Sequence, residues 1–246
     1  MIPIYNLDKI KFSTDPATYE RAVGLYENGK VTQFKEEINR FYAVVLGGKP
    51  YKVYVNNRHY DQGGCDCYLG QKDILCKHTV AVAIYAVMNG KPLKEEDKKN
   101  ETEVSCSGKI GELSKERLKT VKADISGAMR YIKSYNGPSR LWFAYQDSLS
   151  EGCARLLVIV SELPVSLQTA KLLINLLLRL DKKLCNAVDD SDGTVGGFMM
   201  ELVNLLEEFA RIEPECIQAF EKICGLETCF EWEESLVKIV DEGFDY

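Results

Sequence analysis

Residues 65–78 of the chain, CDCYLGQKDILCKH, contain a Cys-x-Cys pair, an eight-residue span and a Cys-x-His pair. Side chains at positions i and i+2 of an extended strand point to the same side, so Cys65 and Cys67 can place two sulfurs on one metal ion. The segment HTVAVAIYAVMN that follows Cys76 has the length and apolar density of a buried helix. This pattern predicts Cys76 just before the first helical turn and His78 inside it, with both side chains facing the strand.

The four side chains have the composition of a closed tetrahedral metal shell. A helix N-terminus favours the negative charge of a thiolate, and Gly70 gives the intervening span room to turn back. Three Cys and one His are typical of a structural zinc site, and they leave no open position for water, which argues against metal catalysis. The alternative is that the cysteines are small buried apolar residues that happen to be close in sequence. Two pairs at short range, with a helix starting at the second, favour one structural zinc ion.

The spacing resembles that of the SWIM zinc finger, whose pattern is Cys-x-Cys, a variable gap and Cys-x-His. The resemblance covers residues 13–90: a leading helix rich in tyrosine (PATYERAVGLYENGK), strands ending in PYKVYV, then the motif and its Ala/Val-rich helix. It implies that the zinc ligands are Cys65, Cys67, Cys76 and His78. SWIM fingers occur beside helicase, transposase or kinase modules and are thought to contact DNA or proteins. None of those catalytic modules is visible in this sequence.

The composition is that of an ordinary globular protein, with 46% hydrophobic residues among 246 and a net charge of −6. The first residues, MIPIYNLDKIKF, lack the basic-then-apolar order of a signal peptide, and Lys171, Asn175 and Arg179 interrupt the most apolar later stretch. We therefore expect a cytoplasmic protein with no membrane partner. Nine cysteines, an odd number, indicate a reducing compartment, and we expect most of the six outside the motif to fill the core.

The charge is distributed unevenly along the chain. Residues 1–92 hold 12 Lys and Arg against 9 Asp and Glu, a balance of +3, and the remainder carries −9. One zinc ion with three thiolates would make the first part only mildly basic. A strong non-specific hold on nucleic acid would need more positive charge.

Pro, Gly and charged residues divide the chain into two parts. We expect an α+β chain: a small antiparallel sheet with a zinc-stapled ββα finger in residues 1–92, a charged linker in 93–108, and an all-α helical bundle or irregular helical-repeat domain in 109–246. In the first part we predict a helix from Pro16 to about Gly29. Strands are predicted at 31–36, 40–46 and 51–55. Helices are predicted at about 112–134, 139–162, 166–186, 195–211, 214–224 and 229–241.

A group of basic and aromatic side chains in the first part is the best candidate for contacts with a protein partner or nucleic acid. Its members are Lys52, Tyr54, Arg58, Lys72 and Lys77. The alternative is a solvated basic face with packing tyrosines. The one histidine outside the motif, His59, is expected to be a surface or turn residue.

Residues 139–148, SRLWFAYQDS, combine aromatic residues with Arg140, Gln146 and Asp147 and could line a recognition groove. Aromatic residues at helical spacing are more often core. With only two histidines, the sequence offers no nucleophile–His–acid arrangement, and it contains neither a phosphate loop nor a Rossmann fingerprint. Enzymatic function is therefore weakly supported.

Three hypotheses follow for the function. The first is a zinc-binding interaction module that acts as a protein adapter or scaffold, in trans with an ATPase or a nucleic-acid enzyme. The second is a DNA- or RNA-binding protein that uses the basic and aromatic surface of the zinc domain. The third is an uncharacterised enzyme that uses the region around Trp142–Asp147. Protein partners are favoured because the whole chain is acidic, and the sequence does not indicate an oligomeric state.

Overall fold

An antiparallel sheet with its helices comes first in the structure and a helical region follows, so the predicted α+β class is confirmed. The computed structural model describes residues 2–100, 102–138 and 142–242. It divides into two units, residues 1–100 and 101–246. The division lies within the stretch 93–108 that the sequence marks as a linker.

The first unit consists of a four-stranded sheet and four helices among its described residues. The strands are β1 (Val31–Glu37), β2 (Arg40–Leu46), β3 (Pro50–Asn56) and β4 (Gly64–Cys65), and the helices are α1 (Leu7–Phe12), α2 (Pro16–Glu27), α3 (Lys77–Met88) and α4 (Glu95–Lys98). Each strand pairs antiparallel with the next, in the order β1-β2-β3-β4. A short 3-10 turn over Gly70–Lys72 lies between β4 and α3.

The core of the first unit lies between one face of the sheet and α3. Alternate residues of the two central strands are buried, and the register places Phe41 opposite Val55 and Ala43 opposite Val53. Helix α3 is buried along most of its length, because it packs against α2 on one side and the sheet on the other. The other face of the sheet is left open by these contacts.

The segment after α3 folds back on the first unit. The Tyr19 hydroxyl donates to the Asp97 carbonyl oxygen at 2.7 Å, and the Lys11 Nζ donates to the Glu96 carbonyl oxygen at 2.6 Å. The side-chain amide of Asn100 donates to the Lys11 carbonyl oxygen at 3.0 Å. The first unit therefore extends to about residue 100, eight residues beyond the boundary at 92 that composition predicts.

The second unit is helical. Its helices are α5 (Lys115–Ala128), α6 (Trp142–Ser161), α7 (Leu167–Cys185), α8 (Thr194–Ile212), a 3-10 helix (Pro214–Ile223) and α9 (Glu234–Glu242). Helix α5 is shorter than the predicted helix at 112–134, and the predicted helix at 214–224 has 3-10 geometry. Residues 139–141, where the predicted helix at 139–162 begins, lie outside the described residues.

The core of the second unit is built around α7, which contacts α8 and the 3-10 helix. Leu173, Ile174, Leu177 and Leu180 are fully buried along its inner face. None of the helices in the described ranges combines the length and apolar character that a membrane crossing requires.

Candidate metal centre

The structure brings Cys65, Cys67, Cys76 and His78 together at the edge of the sheet. Cys65 is in β4, opposite Val53 of β3, and the 3-10 turn after Cys67 reverses the chain. Cys76 is the N-cap residue of α3, and His78 lies in the first helical turn. This is the strand, turn and helix arrangement that the spacing predicts.

The ligand atoms of the four residues converge on one point. All four lie within 4.8 Å of one another, and all four residues are buried. The Nδ1 atom of His78 lies 3.7 Å from the Cys65 Sγ and 3.9 Å from the Cys76 Sγ. Three sulfurs and one imidazole nitrogen at these separations can hold a metal ion in a closed tetrahedral shell.

Hydrogen-bond donors around the site point at the sulfur atoms. The backbone N–H of Cys67 donates to the Cys65 Sγ at 3.4 Å, and that of Gly70 donates to the Cys67 Sγ at 3.3 Å. The Thr79 hydroxyl lies 3.3 Å from the Cys76 Sγ. Donors in these positions stabilise thiolates, the form in which cysteine binds metal.

The ring of Tyr51 packs on the face of the His78 imidazole ring. The two rings stack with centroids 4.3 Å apart and an interplanar angle of 26°. A Cβ atom at Gly47 would come within 3.5 Å of the His78 Nε2 and 3.0 Å of the Tyr51 ring. Glycine at position 47 therefore leaves room for the stacked rings of Tyr51 and His78. The stack orients the His78 ring so that its Nδ1 atom faces the sulfur atoms.

The thiols of Cys65 and Cys76 share a hydrogen bond. The hydrogen bond with Cys65 lowers the pKa of Cys76, and contacts with His78 and Thr79 lower it further. The same hydrogen bond and burial raise the pKa of Cys65. Cysteine binds metal as the thiolate, so the thiols must lose their protons when the metal binds. Metal affinity should accordingly fall as the pH falls.

Gly70 is required by the path of the chain between the two ligand pairs. A Cβ atom at this position would lie 2.2 Å from the Cys65 carbonyl oxygen and 2.7 Å from the Cys65 Cβ. Any other residue would force the 3-10 turn away from the strand that carries Cys65. The turn would then no longer hold Cys67 beside Cys76.

Two of the predicted contact residues lie on the open face of the sheet. Lys52 and Tyr54 lie on the face of β3 that points away from α3, since Val53 and Val55 between and beside them are buried on the other face. Tyr54 packs over Gly64, where a Cβ atom would come within 2.4 Å of its ring.

The other three predicted contact residues lie elsewhere. Lys72 is in the 3-10 turn, with its Nζ 2.7 Å from the Tyr68 hydroxyl and 4.3 Å from the ring centroid. Lys77 begins α3, and Arg58 is exposed in the loop after β3. His59 is exposed in the same loop, where its carbonyl oxygen accepts from Gln62 in a turn.

The aromatic stretch at the start of α6 has a structural explanation. The Trp142 Nε1 donates to the Asp189 Oδ2, and the Gln146 side chain donates to the Asp189 carbonyl oxygen, both at 3.0 Å. The Tyr145 hydroxyl accepts from the Asp189 backbone N–H at 2.9 Å. These contacts fasten α6 to the turn before α8. Arg140 lies outside the described residues.

Two features of the structure are not among those predicted from the sequence. The loop between the ligand pairs exposes large apolar side chains, Tyr68, Leu69 and Ile74. A second group with metal-binding side chains, Asp181, Cys185 and Cys229, lies in the second unit. The first was visible as apolar residues within a polar span. The second joins residues 44 positions apart, which no local pattern links.

No family model, curated protein or solved structure matches the chain. The resemblance to SWIM fingers therefore rests on the spacing of the ligands and the order of the elements around them. The geometry of the site supports a metal-binding module by itself.

We expect Cys67→Ser to lower the bound metal by about one ion per chain and to unfold the first unit, because a metal held by the four ligands would link strand, turn and helix. Metal analysis and urea unfolding followed by limited proteolysis measure both effects. The second unit should unfold at the same urea concentration as in the wild type. Cys224→Ser, which removes an exposed thiol of the second unit, is the control. Retained metal and a protease-resistant first unit in Cys67→Ser would contradict the coupling.

We expect Gly70→Ala to weaken metal binding by at least about tenfold, because the new Cβ atom meets the Cys65 backbone and misplaces a ligand-bearing turn. Competition with a coloured chelator gives the affinity. Gly24→Ala is the matched control, since a Cβ atom there meets nothing within 4 Å and helical alanine is favoured over glycine by about 1 kcal/mol. Equal metal affinities in the two variants would show that the turn tolerates a side chain.

Proposed function

We propose that the first unit is a structural zinc module that docks a protein segment, and that the chain acts as an adapter. The observation that carries the proposal is the position of the exposed apolar loop between the two ligand pairs. The metal fixes the base of this loop, and its tip is presented to solvent.

Zinc is the ion that the donor set fits best. Zinc–sulfur bonds of about 2.3 Å and zinc–nitrogen bonds of about 2.0–2.1 Å place a sulfur and a nitrogen roughly 3.6 Å apart in a tetrahedral shell. The two sulfur–nitrogen distances of 3.7 and 3.9 Å are close to this value. Zinc held by Cys65, Cys67, Cys76 and His78 would supply a cross-link and no reactive position, because the shell is complete.

The loop between the ligand pairs exposes three large apolar side chains to solvent. Tyr68 is 71% exposed, Ile74 is 51% exposed and Leu69 is 38% exposed. Contiguous patches of exposed, large apolar side chains mark interaction sites on protein surfaces. Because the ends of the loop are fixed by the ligands, binding would cost little ordering entropy.

A groove beside the loop suggests the kind of partner. Its volume is about 290 Å³, and the metal-site residues Cys67, Cys76 and His78 line it together with Arg21, Tyr51, Tyr68, Leu69 and Lys77. The Arg21 guanidinium donates to the Ala17 carbonyl oxygen and the Thr18 hydroxyl. The groove thus offers cationic and apolar groups together. A peptide segment with an apolar side chain next to a carboxylate fits this chemistry.

The resemblance to SWIM fingers supports the adapter role and adds a class of partner. In that family the finger accompanies helicase, transposase or kinase modules. We propose that this chain serves an ATPase or a nucleic-acid enzyme in trans.

Selection of phage-displayed peptides on the zinc-loaded chain tests the docking surface. We expect enrichment of peptides that place a large apolar residue beside Asp or Glu. The double variant Tyr68→Ala/Ile74→Ala should weaken their binding by about tenfold or more while the zinc content stays the same. Ile38→Ala, which truncates an exposed side chain in the β1–β2 turn, is the matched control. Peptides that bind the double variant as tightly as the wild type would refute the assignment of this surface.

Single-stranded nucleic acid is the second candidate, and it is favoured by the open face of the sheet. Tyr42 and Tyr54 lie side by side on this face, with ring centroids 5.9 Å apart. The Arg40 guanidinium lies 5.0 Å from the Tyr54 ring centroid, and Lys52 is exposed on the same strand face. Aromatic rings among cationic side chains are a stacking platform for bases, with phosphates contacted at the edge.

A fluorescence titration against short single-stranded RNA and DNA at several salt concentrations tests the second candidate. If the open face binds nucleic acid, affinity should fall with increasing salt. Tyr42→Ala/Tyr54→Ala should then cost about 1–3 kcal/mol for each stacked base, whereas Tyr68→Ala should have no effect. Absence of binding near physiological salt would exclude this face as a nucleic-acid platform and would leave the protein-docking proposal standing.

A further inference from the structure

A second group of metal-binding side chains lies at the end of α7, in the second unit. It consists of Asp181, Cys185 and Cys229. The carboxylate oxygen and the two sulfur atoms lie within 4.8 Å of one another. Both cysteines are free and exposed, so a metal ion can reach the group from solvent.

The helix and one turn place the three donors. Asp181 and Cys185 are four residues apart on α7, which puts their side chains on the same face of the helix. Cys229 comes from the turn before α9. The Asp181 Oδ1 accepts from the Cys229 backbone N–H and from the Trp232 Nε1, both at 2.9 Å. Trp232 is only 1% exposed, so the turn is anchored in the core.

Two features of this arrangement resemble those of established metal sites. The Asp181 carboxylate is oriented by two N–H donors, as outer hydrogen bonds orient metal-binding carboxylates. The group is preformed by packing and hydrogen bonds that need no metal. Binding an ion would therefore cost little rearrangement of the chain.

The donor groups themselves favour a cation. The part of the chain from residue 93 onward carries a net charge of −9. Two thiolates beside a carboxylate repel one another, and a divalent cation at their centre would remove that repulsion.

We propose that Asp181, Cys185 and Cys229 form a second metal site, which takes a thiophilic divalent ion such as zinc. Two sulfurs and one carboxylate oxygen suit zinc. Three protein ligands leave one tetrahedral position open, in contrast to the complete shell of the first site. That position takes water or a donor atom from another molecule. The second ion is exchangeable, because the surrounding fold does not depend on it.

The test is a titration with Co²⁺ of the full chain, after the first site has been filled with zinc and with a phosphine reductant present. Thiolate-to-cobalt charge transfer gives a near-ultraviolet absorption band. We expect the band to saturate at about one additional ion per chain, with a weaker affinity than that of the closed site. Cys185→Ser and Cys229→Ser should each remove most of the band.

Asp181→Asn separates the metal role from the structural role of the carboxylate. The amide oxygen can still accept from Cys229 and Trp232, so the turn should be kept, while the charged ligand is lost. We expect the Co²⁺ affinity to fall by about tenfold or more and the thermal unfolding of the second unit to stay unchanged. The Cys224→Ser variant, which removes an exposed thiol outside the group, should bind Co²⁺ as the wild type does.

Two results would overturn the proposal. One is a Co²⁺ band that is absent from the wild type or unchanged in Cys185→Ser and Cys229→Ser. The other is a disulfide between Cys185 and Cys229 that forms readily under mild peroxide, found by peptide mass mapping, in a chain that takes up no second ion. This second outcome would identify the thiols as a redox pair instead.

Discussion

The convergence of three sulfurs and one imidazole nitrogen at the sheet edge is the constraint on which the first unit depends. Strand β4 has only two residues, and the loop that follows it is largely exposed. A strand this short gains little from its ladder hydrogen bonds, and an exposed loop gains little from apolar burial. A metal ion held by the four ligands would cross-link β4 to α3, where neither the short ladder nor apolar burial does so. The loop can then carry exposed apolar residues without losing its shape.

Much of the first unit could be predicted from local patterns. Period-2 alternation in PYKVYV indicated a half-buried strand, and the structure places Val53 and Val55 in the core. The ligand spacing indicated a strand, a turn and a helix, because only that order lets both pairs face one point. Gly70 was expected to help the chain turn back, and its close contact with Cys65 gives the reason. These inferences worked because each depends on neighbours in sequence.

The rest depends on contacts between distant residues. The segment at 93–100 has the composition of a linker, yet the side chains of Tyr19 and Lys11 donate hydrogen bonds to its backbone carbonyl oxygens. The five predicted contact residues share charge and aromatic character, but they come from β3, the loops after β3 and β4, and the start of α3, so their arrangement depends on how these elements pack. The sequence predicts that most cysteines of the second unit are buried in its core. Two are buried, at Cys153 and Cys216, whereas three are exposed.

Hydrogen exchange of the full chain, with metal bound and after chelation, measures whether metal binding keeps the first unit folded. The second unit serves as the internal reference, because its core of apolar helices contains none of the four ligands. We expect chelation to remove amide protection across β2, β3 and α3 and to leave α7 and α8 protected. Equal protection of the first unit in the two states would show that its core holds the fold alone. The Cys65–His78 cluster would then be a consequence of the fold rather than its cause.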